Sequence, residues 1–415
     1  MSNRMISDGN EMRRRWDALI ADMEKENLDC LFMYSTDRFY SAYLRYVTDC
    51  PTIMYPLAGL FSKQGISIVG QGIKGLPLYP PPITEQSEGQ TQYLAGGLAQ
   101  HDFVKDLIGL PACPTTNYVK DMWPEALAEL IRKYGYKHIG LVGLNIIPFN
   151  FVNYLKMNMP ELEFADATAL VDKHKEVKSP YEIELAEKCC QIMDELMAAM
   201  PSVMKAGQTV REIGRKMRRL ADGLDCMDLN IMLGKHPTMP MFNEWPFIDD
   251  EPVGPDDCVE FMAEVSSNVG LWGECARVYS FGEPPEALAK TMELAFGMQD
   301  FLAGLIVPGA IPSEVFAKYN EKLAETGFPQ ERRFAVHGQG FDVVEIPFMR
   351  PENHNPFKEN SFIAIHPSMY DAPRKVGCFV CDNYLITKDG AKRMSKTPRE
   401  IIRVCDTRLP LFSGL

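Results

Sequence analysis

The sequence lacks both a long apolar segment and an excess of positive charge. No uncharged apolar run approaches the roughly 18 residues that a membrane span requires, and the nearest one, Phe301 to Pro312, is ended by prolines. Carboxylates outnumber Lys and Arg by 56 to 43, which gives a formal net charge of −13. Phosphate backbones and anionic lipids repel an acidic protein. We therefore expect neither a membrane nor a nucleic acid as the main partner.

The sequence also lacks the cysteine density of a secreted disulfide scaffold and an apolar signal segment. Its 11 cysteines are spread over 415 residues, and the first residues, MSNRMISDGNEMRRRWDAL, carry charges with no apolar stretch behind them. Disulfide frameworks and signal peptides have the opposite composition. These features favour a reduced, cytoplasmic protein. Because a chain of this length exceeds one small core, we expect two domains.

Two regions of different pattern follow one another along the chain. Residues 1–172 alternate helical spacing, as over Glu11 to Asn27, with short apolar strands, which is typical of an α/β domain. A long helix is then predicted from Ser179, because Ser179 at the N-cap and Glu182 three residues later form a capping box. Predicted strands dominate the remainder. We predict an α+β protein with an N-terminal α/β domain over residues 1–172 and a second domain over residues 173–415.

The strand predicted over Val259 to Ser266 has two different faces. Alternate side chains of a strand point to opposite sides of its sheet. One side therefore carries only apolar residues, namely Val259, Phe261, Ala263 and Val265. The other side carries Glu260, Met262, Glu264 and Ser266. Glu264 thus projects from the face opposite the apolar one, as a residue of a functional site does.

Five segments of the second region resemble, in order, the motifs of the pita-bread family, which includes creatinase, prolidase, aminopeptidase P and methionine aminopeptidase. The segments are Lys178-Ser179-Pro180 with Glu182-Ile183; Ala263 to Ser266 with Gly270 to Arg277; His337-Gly338-Gln339-Gly340 with Glu345 and Pro347; His366 to Tyr370; and Gly377 to Asn383 with Thr387 to Gly390. The resemblance covers about residues 170–405. It implies a creatinase-like two-domain architecture, with the pita-bread domain over residues 173–415, and a homodimer.

The same resemblance implies an altered metal site. Peptidases of the family hold two metals with two Asp, one His and two Glu. The residues at those positions here are Glu264, Glu274, His337, His366 and Cys381. The first two are one residue closer together than in the family, so Cys275 is an alternative for the second position. Two family histidines that assist peptide hydrolysis are replaced by Met241 and Val344, and the critical glutamate of creatinase by Ala276.

This cluster of carboxylates, imidazoles and a thiol is compatible with two kinds of chemistry. A carboxylate can orient an imidazole for acid–base catalysis without a metal, and this is the arrangement that we expect. Alternatively, the same five residues bind one divalent metal, Zn or Fe, for which carboxylate, imidazole and thiolate are suitable ligands. A vestigial site, with these residues packed in the core, is the third alternative.

The expected function is that of a creatinase-like hydrolase, which cleaves a C–N bond other than an ordinary peptide bond in a small polar molecule. His337 is the expected proton shuttle, and Glu264 and Glu274 orient water or substrate. His366 stabilises developing charge or acts as a second acid. Arg277 is the expected partner of a substrate carboxylate. The other residues expected to contact the substrate are His236, Met241, Trp245, Val344 and Cys381. Met and aromatic side chains over Met239 to Phe247 suit an organic cation.

Three other functions stay open for this sequence. One is a lyase that breaks a C–S or C–X bond of a small molecule. Another is an Xaa-Pro-type metallopeptidase, which the missing metal ligands and the residues Met241 and Val344 disfavour. The third is a pita-bread protein that binds a ligand without turnover. The retained titratable cluster counts against this last alternative.

Overall fold

The computed structural model describes residues 9–36, 42–49, 55–71, 104–110, 120–224, 226–242, 251–267, 271–371 and 373–404. The chain divides into two compact units between Lys175 and Glu176; the boundary predicted from the sequence, 172/173, lies just before this point. Within the described ranges, no helix is long and apolar enough to cross a lipid bilayer. The protein has the α+β class that the sequence predicts.

The first unit is a six-stranded sheet with helices. Its strands, in the spatial order β4-β3-β2-β1-β5-β6, include an antiparallel β1–β2 pair and a parallel β1–β5 pair. The strands are β1 Cys30–Ser35, β2 Leu57–Ser62, β3 Gly65–Gln71, β4 Val104–Leu110, β5 His138–Val142 and β6 Glu163–Asp166. The helices are α1 Gly9–Lys25, α2 Ala42–Thr48, α3 Met122–Tyr134, α4 Phe149–Asn158 and α5 Thr168–Glu176. Apolar side chains of α3 and α4 form one core with the sheet.

The second unit contains two five-stranded sheets and a two-stranded one. The first sheet has the order β18-β10-β9-β7-β8, the second the order β12-β11-β13-β16-β17, and β14 pairs with β15. The helices are α6 Pro180–Val203, α7 Val210–Ala221, α8 Glu286–Leu305 and α9 Pro312–Glu325. The strands are β7 Cys226–Lys235, β8 Met241–Phe242, β9 Cys258–Ser267, β10 Trp272–Ser280, β11 Val336–Gly338, β12 Glu345–Phe348, β13 Phe362–Ile365, β14 Ser368–Asp371, β15 Val376–Phe379, β16 Asp382–Thr387, β17 Gly390–Arg393 and β18 Ile402–Arg403.

Helix α6 begins with the capping box that the sequence predicts. The Ser179 hydroxyl accepts a hydrogen bond from the backbone N–H of Glu182 at 3.1 Å, and the Glu182 carboxylate accepts one from the backbone N–H of Ser179 at 2.9 Å. Such reciprocal bonds satisfy N–H groups that the first helical turn leaves free. Thr209 and Glu212 form the same box at the start of α7. Both helices pack on the apolar face of the first sheet.

The two faces of β9 have the different environments that the sequence predicts. Its apolar side chains lie in the core formed with α6 and α7. Met262, on the opposite face, belongs to a separate small cluster. Strand β10 pairs antiparallel with β9, and its Glu274 lies directly opposite Glu264. Cys275 is buried in the helix-side core, so the alternative placement of Cys275 at the site is wrong and Glu274 is the residue on the site face.

The second sheet brings two histidines next to this face. His337 lies in β11, which pairs antiparallel with β13, and His366 directly follows β13. Strands β15 and β16 are separated by Val380 and Cys381. Cys381 forms an isolated bridge with Ala276 of β10. This bridge joins the first sheet to the second beside Glu274.

Candidate functional site

Glu274, His337 and His366 form a compact buried cluster. The Oε1 atom of Glu274 lies 3.5 Å from Nε2 of His337 and 3.9 Å from Nε2 of His366. One ligand atom from each of the three side chains lies within 4.8 Å of the others. All three side chains are almost completely buried. The structure therefore brings together three of the five residues that the family resemblance assigns to a metal.

The electrostatic environment fixes the charges in this cluster. Burial disfavours the ionised form of Glu274. The imidazoles of His337 and His366 have a larger, opposite effect, so the pKa of Glu274 is lowered to about 2. Burial lowers the pKa of His366 to about 3. Burial also disfavours the charged form of His337, yet the neighbouring Glu274 carboxylate outweighs this and raises its pKa. Near neutral pH, Glu274 is thus an anion and His366 a neutral imidazole.

The orientation of His337 is set by the backbone. Its Nδ1 lies 2.9 Å from the carbonyl oxygen of Gly338, so Nδ1 carries the proton and donates this bond. The lone pair of a neutral ring is then on Nε2, the atom that faces Glu274. This backbone contact is typical of histidines that bind metals.

Glu264 lies beside the cluster with a different environment. Burial raises the pKa of Glu264 to about 7, and the charge of Glu274 adds to this effect. The side-chain amide of Asn230, on the neighbouring strand β7, donates a 2.7 Å hydrogen bond to its carboxylate. Glu264 therefore exchanges a proton most readily near neutral pH, whereas Glu274 does not. An isolated Asn in a strand carries no pattern, so the sequence alone does not predict this role of Asn230.

Cys381 touches the cluster as a protonated thiol. Its Sγ donates a hydrogen bond of 3.0 Å to Oε1 of Glu274. Burial raises its pKa well above the usual range, so the thiolate that binds metals is disfavoured. Cys378 belongs to a different hydrophobic core, and both cysteines are free thiols. The two cysteines therefore lie in different apolar clusters and form no disulfide with each other.

The three clustered side chains fit one divalent metal. An ionised carboxylate and two imidazoles are suitable ligands for Zn or Fe. Nδ1 of His366 is buried without a hydrogen-bond partner among the described residues. Glu264 accepts a hydrogen bond from Asn230 and Cys381 donates one to Glu274, and neither belongs to this three-residue group. The expectation of a metal-free site is not supported by this donor set.

Arg277 does not have the role expected from the sequence. Its side chain is completely buried, and its guanidinium lies 2.6 Å from the carboxylate of Asp382. The remaining donors bond to backbone carbonyls of Ala276, Cys381, Thr397 and Pro398. Because every part of the guanidinium is engaged, Arg277 cannot hold a substrate carboxylate. It holds the segment of Thr397 and Pro398 next to β10 and β16.

Two of the other expected substrate contacts, His236 and Val344, do not belong to the Glu274 cluster. Val344 is about half exposed and lines a cavity of about 540 Å³ with Arg333, Phe334 and Phe348. The ring of Phe334 lies 5.6 Å from the ring of His337, so this cavity adjoins the cluster. His236 is not part of the cluster. The backbone of Met241 pairs with Leu233 in the first sheet, and Trp245 lies outside the described residues.

A second buried carboxyl group, Glu260, lies on the same face of β9. The Tyr370 hydroxyl donates a hydrogen bond to its Oε2. Its Oε1 has no hydrogen-bond partner among the described residues. Burial raises the pKa of Glu260 to about 8. The alternation of β9 placed Glu260 on the site face, but no motif assigned it a role.

Glu260 predicts a specific pH dependence of stability. Its carboxyl is expected to keep its proton in the folded chain up to about pH 8, whereas the ordinary pKa is 4.5. Unfolding between these values releases a proton, so the free energy of unfolding falls as pH rises, by up to about 1.4 kcal/mol per unit. The variant Glu260→Gln cannot titrate. Urea unfolding at pH 5 and pH 8 should therefore show the variant gaining stability relative to the wild type, and a constant difference would contradict this assignment.

Comparison with protein families identifies the class of the second unit. Residues 184–388 match the model of metallopeptidase family M24. The chain therefore carries an M24 domain with the pita-bread fold, as the five sequence motifs predict.

Individual relatives support the same conclusion. The chain is 26% identical over 278 residues to the Xaa-Pro dipeptidase of Pyrococcus horikoshii, a match that covers 65% of this chain and 76% of the relative. It is 25% identical over 266 residues to the Xaa-Pro dipeptidase of Pyrococcus furiosus, with 62% and 73% covered. Both relatives are named for dipeptide cleavage.

Solved structures share the fold over nearly the whole chain. The prolidase from Pyrococcus horikoshii superposes with a TM-score of 0.73 at 19% identity and covers 94% of this chain and 100% of that one. The X-Pro aminopeptidase from Thermotoga maritima superposes with a TM-score of 0.75 at 16% identity, with 94% and 99% covered. The predicted creatinase-like two-domain architecture is thereby confirmed.

Proposed function

We propose that this protein is a hydrolase that cleaves an amide C–N bond in a small substrate with the help of one divalent metal. The observation that carries the proposal is the buried cluster of Glu274, His337 and His366, whose ligand atoms lie within 4.8 Å of one another. A metal held there supplies a Lewis acid and lowers the pKa of bound water. The match to a metallopeptidase family supports this assignment.

Residues around the cluster transfer the proton and hold the reacting side chains in position. Glu264, whose pKa burial raises to about 7, takes the proton of the attacking water and returns it to the leaving nitrogen. Asn230 holds the Glu264 carboxylate in position through its 2.7 Å hydrogen bond. Gly338 holds the ring of His337 by the contact to Nδ1. Cys381 donates its thiol hydrogen to Glu274 and so limits the directions in which that carboxylate can bind.

A dipeptide of the Xaa-Pro type is the substrate class that the relatives favour. The first expectation from sequence, a creatinase-like hydrolase that avoids ordinary peptide bonds, has less support, because neither relative is named for that chemistry. The homodimer, a small-molecule substrate and the cytoplasmic location stay predictions.

Hydrolysis of Gly-Pro, Ala-Pro and creatine by the full chain tests this proposal. The protein is loaded with Zn²⁺, Fe²⁺ or Mn²⁺, and released amine is measured for the wild type and for Glu264→Gln. Cleavage of an Xaa-Pro dipeptide that Glu264→Gln slows by about 100-fold or more supports the proposal. Cleavage of creatine alone, without dependence on added metal, would overturn it in favour of the creatinase-like alternative.

A further inference from the structure

A cavity of about 540 Å³ lies beside the Glu274 cluster in the second unit. Its walls include three apolar side chains, those of Phe334, Val344 and Phe348. The ring of Phe334 links the cavity to the cluster, because it lies 5.6 Å from the ring of His337. Small-molecule sites in proteins have a similar size and a similar lining, in which a few polar groups orient the ligand. The cavity therefore has room for the part of a substrate that lies next to the cluster.

The charged side chains around this cavity leave one cation without a partner. They are Arg333, Arg350 and Glu352. Arg350 pairs with Glu352, with 3.3 Å between Nε and Oε2, so these two charges compensate one another. Among the residues that the structure describes, the guanidinium of Arg333 has neither a hydrogen bond nor an ion pair. It lies over the ring of Phe379, with Cζ 5.8 Å from the ring centroid, and is available to an anionic ligand.

The backbone of Arg333 is held on both sides. Its N–H donates a 2.8 Å hydrogen bond to the carboxylate of Glu331, and its carbonyl oxygen accepts a 3.1 Å hydrogen bond from Nη1 of Arg350. The same Nη1 atom donates to the carbonyl oxygen of Arg332. A residue whose backbone is already ordered loses less conformational freedom when its side chain binds a ligand, which favours affinity. Arg350 therefore positions Arg333 at the cavity.

Arg333 is close to the proposed metal ligands. The ring of Phe379, over which its guanidinium lies, is 5.5 Å from the ring of His366, and the next residue, Phe334, contacts His337. Burial is the largest of the effects that lower the pKa of His366, and the charge of Arg333 acts in the same direction. An anionic group bound to Arg333 is therefore near a bond that is cleaved at the cluster.

A carboxylate attached to a hydrocarbon body is the ligand that this cavity suits. A guanidinium binds a carboxylate through two parallel hydrogen bonds, a geometry that an ammonium group does not offer. The apolar walls favour a hydrocarbon body. In a dipeptide-sized amide, the leaving amino acid has both features, and its carboxylate carbon is only two bonds from the leaving nitrogen. The position and the chemistry of the cavity therefore agree.

We propose that Arg333 is a specificity-determining residue that binds the carboxylate of the leaving amino acid, while the apolar walls at Phe334, Val344 and Phe348 contact its hydrocarbon body. This inference rests on the proposed amide hydrolysis for the position of the scissile bond. Arg333 lies outside the five motif segments of the pita-bread resemblance, which therefore does not assign it this role. The enzyme then prefers substrates with a free carboxylate to the corresponding amides.

Paired substrates test the role of Arg333 in the metal-loaded full chain. Ala-Pro and alanyl-prolinamide differ only in the terminal carboxylate. We expect kcat/KM to be at least about 10-fold higher for Ala-Pro, chiefly through KM, because hydrogen bonds to charged groups contribute on this order. Arg333→Gln should abolish this preference and leave alanyl-prolinamide unchanged, whereas Arg333→Lys should keep part of it. Arg332→Gln removes the same charge from an exposed neighbour that does not line the cavity, and is the control that keeps the preference.

Binding of a small acid separates this inference from the proposed function. Saturation-transfer NMR of the full chain is recorded with cyclopentanecarboxylate and, for comparison, cyclopentanecarboxamide. Binding of the acid that Arg333→Gln removes and Arg332→Gln retains supports the subsite even if no dipeptide is cleaved, in which case only the proposed function fails. If the acid binds no better than the amide, and Arg333→Gln cleaves Ala-Pro as well as the wild type does, the subsite is overturned and the proposed function stands.

Discussion

The variant Glu274→Gln is expected to lose its metal and at least about 100-fold of its turnover. Glu274 is the only one of the three clustered residues whose side chain carries a negative charge, and its Oε1 is the atom next to both imidazoles. Gln keeps the shape but presents a neutral amide. Changes in groups that merely support a metal ligand already cost 10–100-fold in affinity or activity. Loss of the charged ligand itself has a larger effect.

Equilibrium dialysis against Zn²⁺, together with steady-state kinetics, measures both effects. Glu184→Gln makes the same chemical change at an exposed position and should behave like the wild type. Circular dichroism of Glu274→Gln confirms that the domain is folded. If the variant binds metal as tightly as the wild type and retains its turnover, Glu274 is not a ligand and the assignment of the site is wrong.

The variant Arg277→Met is expected to lose about 3–5 kcal/mol of the free energy of unfolding. Arg277 and Asp382 are both fully buried, and their side chains lie 2.6 Å apart. Removing the guanidinium leaves the Asp382 carboxylate buried with Arg393 as its one remaining ion-pair partner among the described residues. Four backbone carbonyls each lose one hydrogen bond at the same time. Leaving charged and polar groups unpaired in a protein interior is strongly destabilising.

Urea unfolding followed by fluorescence measures this loss. Lys290→Met is the matched control, because Lys290 also pairs with a carboxylate, that of Glu286, but both side chains are largely exposed, at 72% and 81%. Such a surface pair contributes about 0–1 kcal/mol. If Arg277→Met is as stable as the control but raises KM only for substrates that carry a carboxylate, Arg277 binds substrate and the structural role is wrong.

Much of the second unit could be predicted from short patterns. The capping box at Ser179 and Glu182 is local, since both bonds join residues three positions apart, and such signals need no knowledge of the fold. The alternation of apolar and polar residues along β9 is also a local pattern, and it predicted the face of the sheet on which Glu264 lies. Ordered motifs then placed His337 and His366 close together. These features are set by short sequence patterns, so they can be predicted without the structure.

Other features depend on contacts between distant segments. The strands Leu57–Ser62 and Val104–Leu110 were not predicted individually, because short apolar runs gain their strand character from the neighbouring strands of the sheet. The role of Arg277 depends on Asp382, more than a hundred positions later, and on the chain returning at Pro398. A sequence pattern shows an arginine near a site but not which groups it bonds to.

The choice between metal-free and metal-dependent chemistry also required the structure. In the sequence, two histidines and three possible carboxylate or thiol ligands are equivalent. The geometry separates them, because Glu274 lies between the two imidazoles whereas Glu264 is bonded to Asn230 and Cys381 donates to Glu274. Burial then assigns different pKa values to the two carboxyl groups. The proposed metal ligand, Glu274, and the proposed proton carrier, Glu264, can therefore be told apart only in the folded structure.

The number of metal ions per chain tests the central claim most directly. Protein purified without chelator and without nickel affinity is analysed by inductively coupled plasma mass spectrometry, and the apoprotein is titrated with Zn²⁺ under native mass spectrometry. The cluster of Glu274, His337 and His366 predicts one tightly bound ion per chain, lost in His366→Ala. Two ions per chain, or none at any Zn²⁺ concentration at which the protein stays folded, would contradict it.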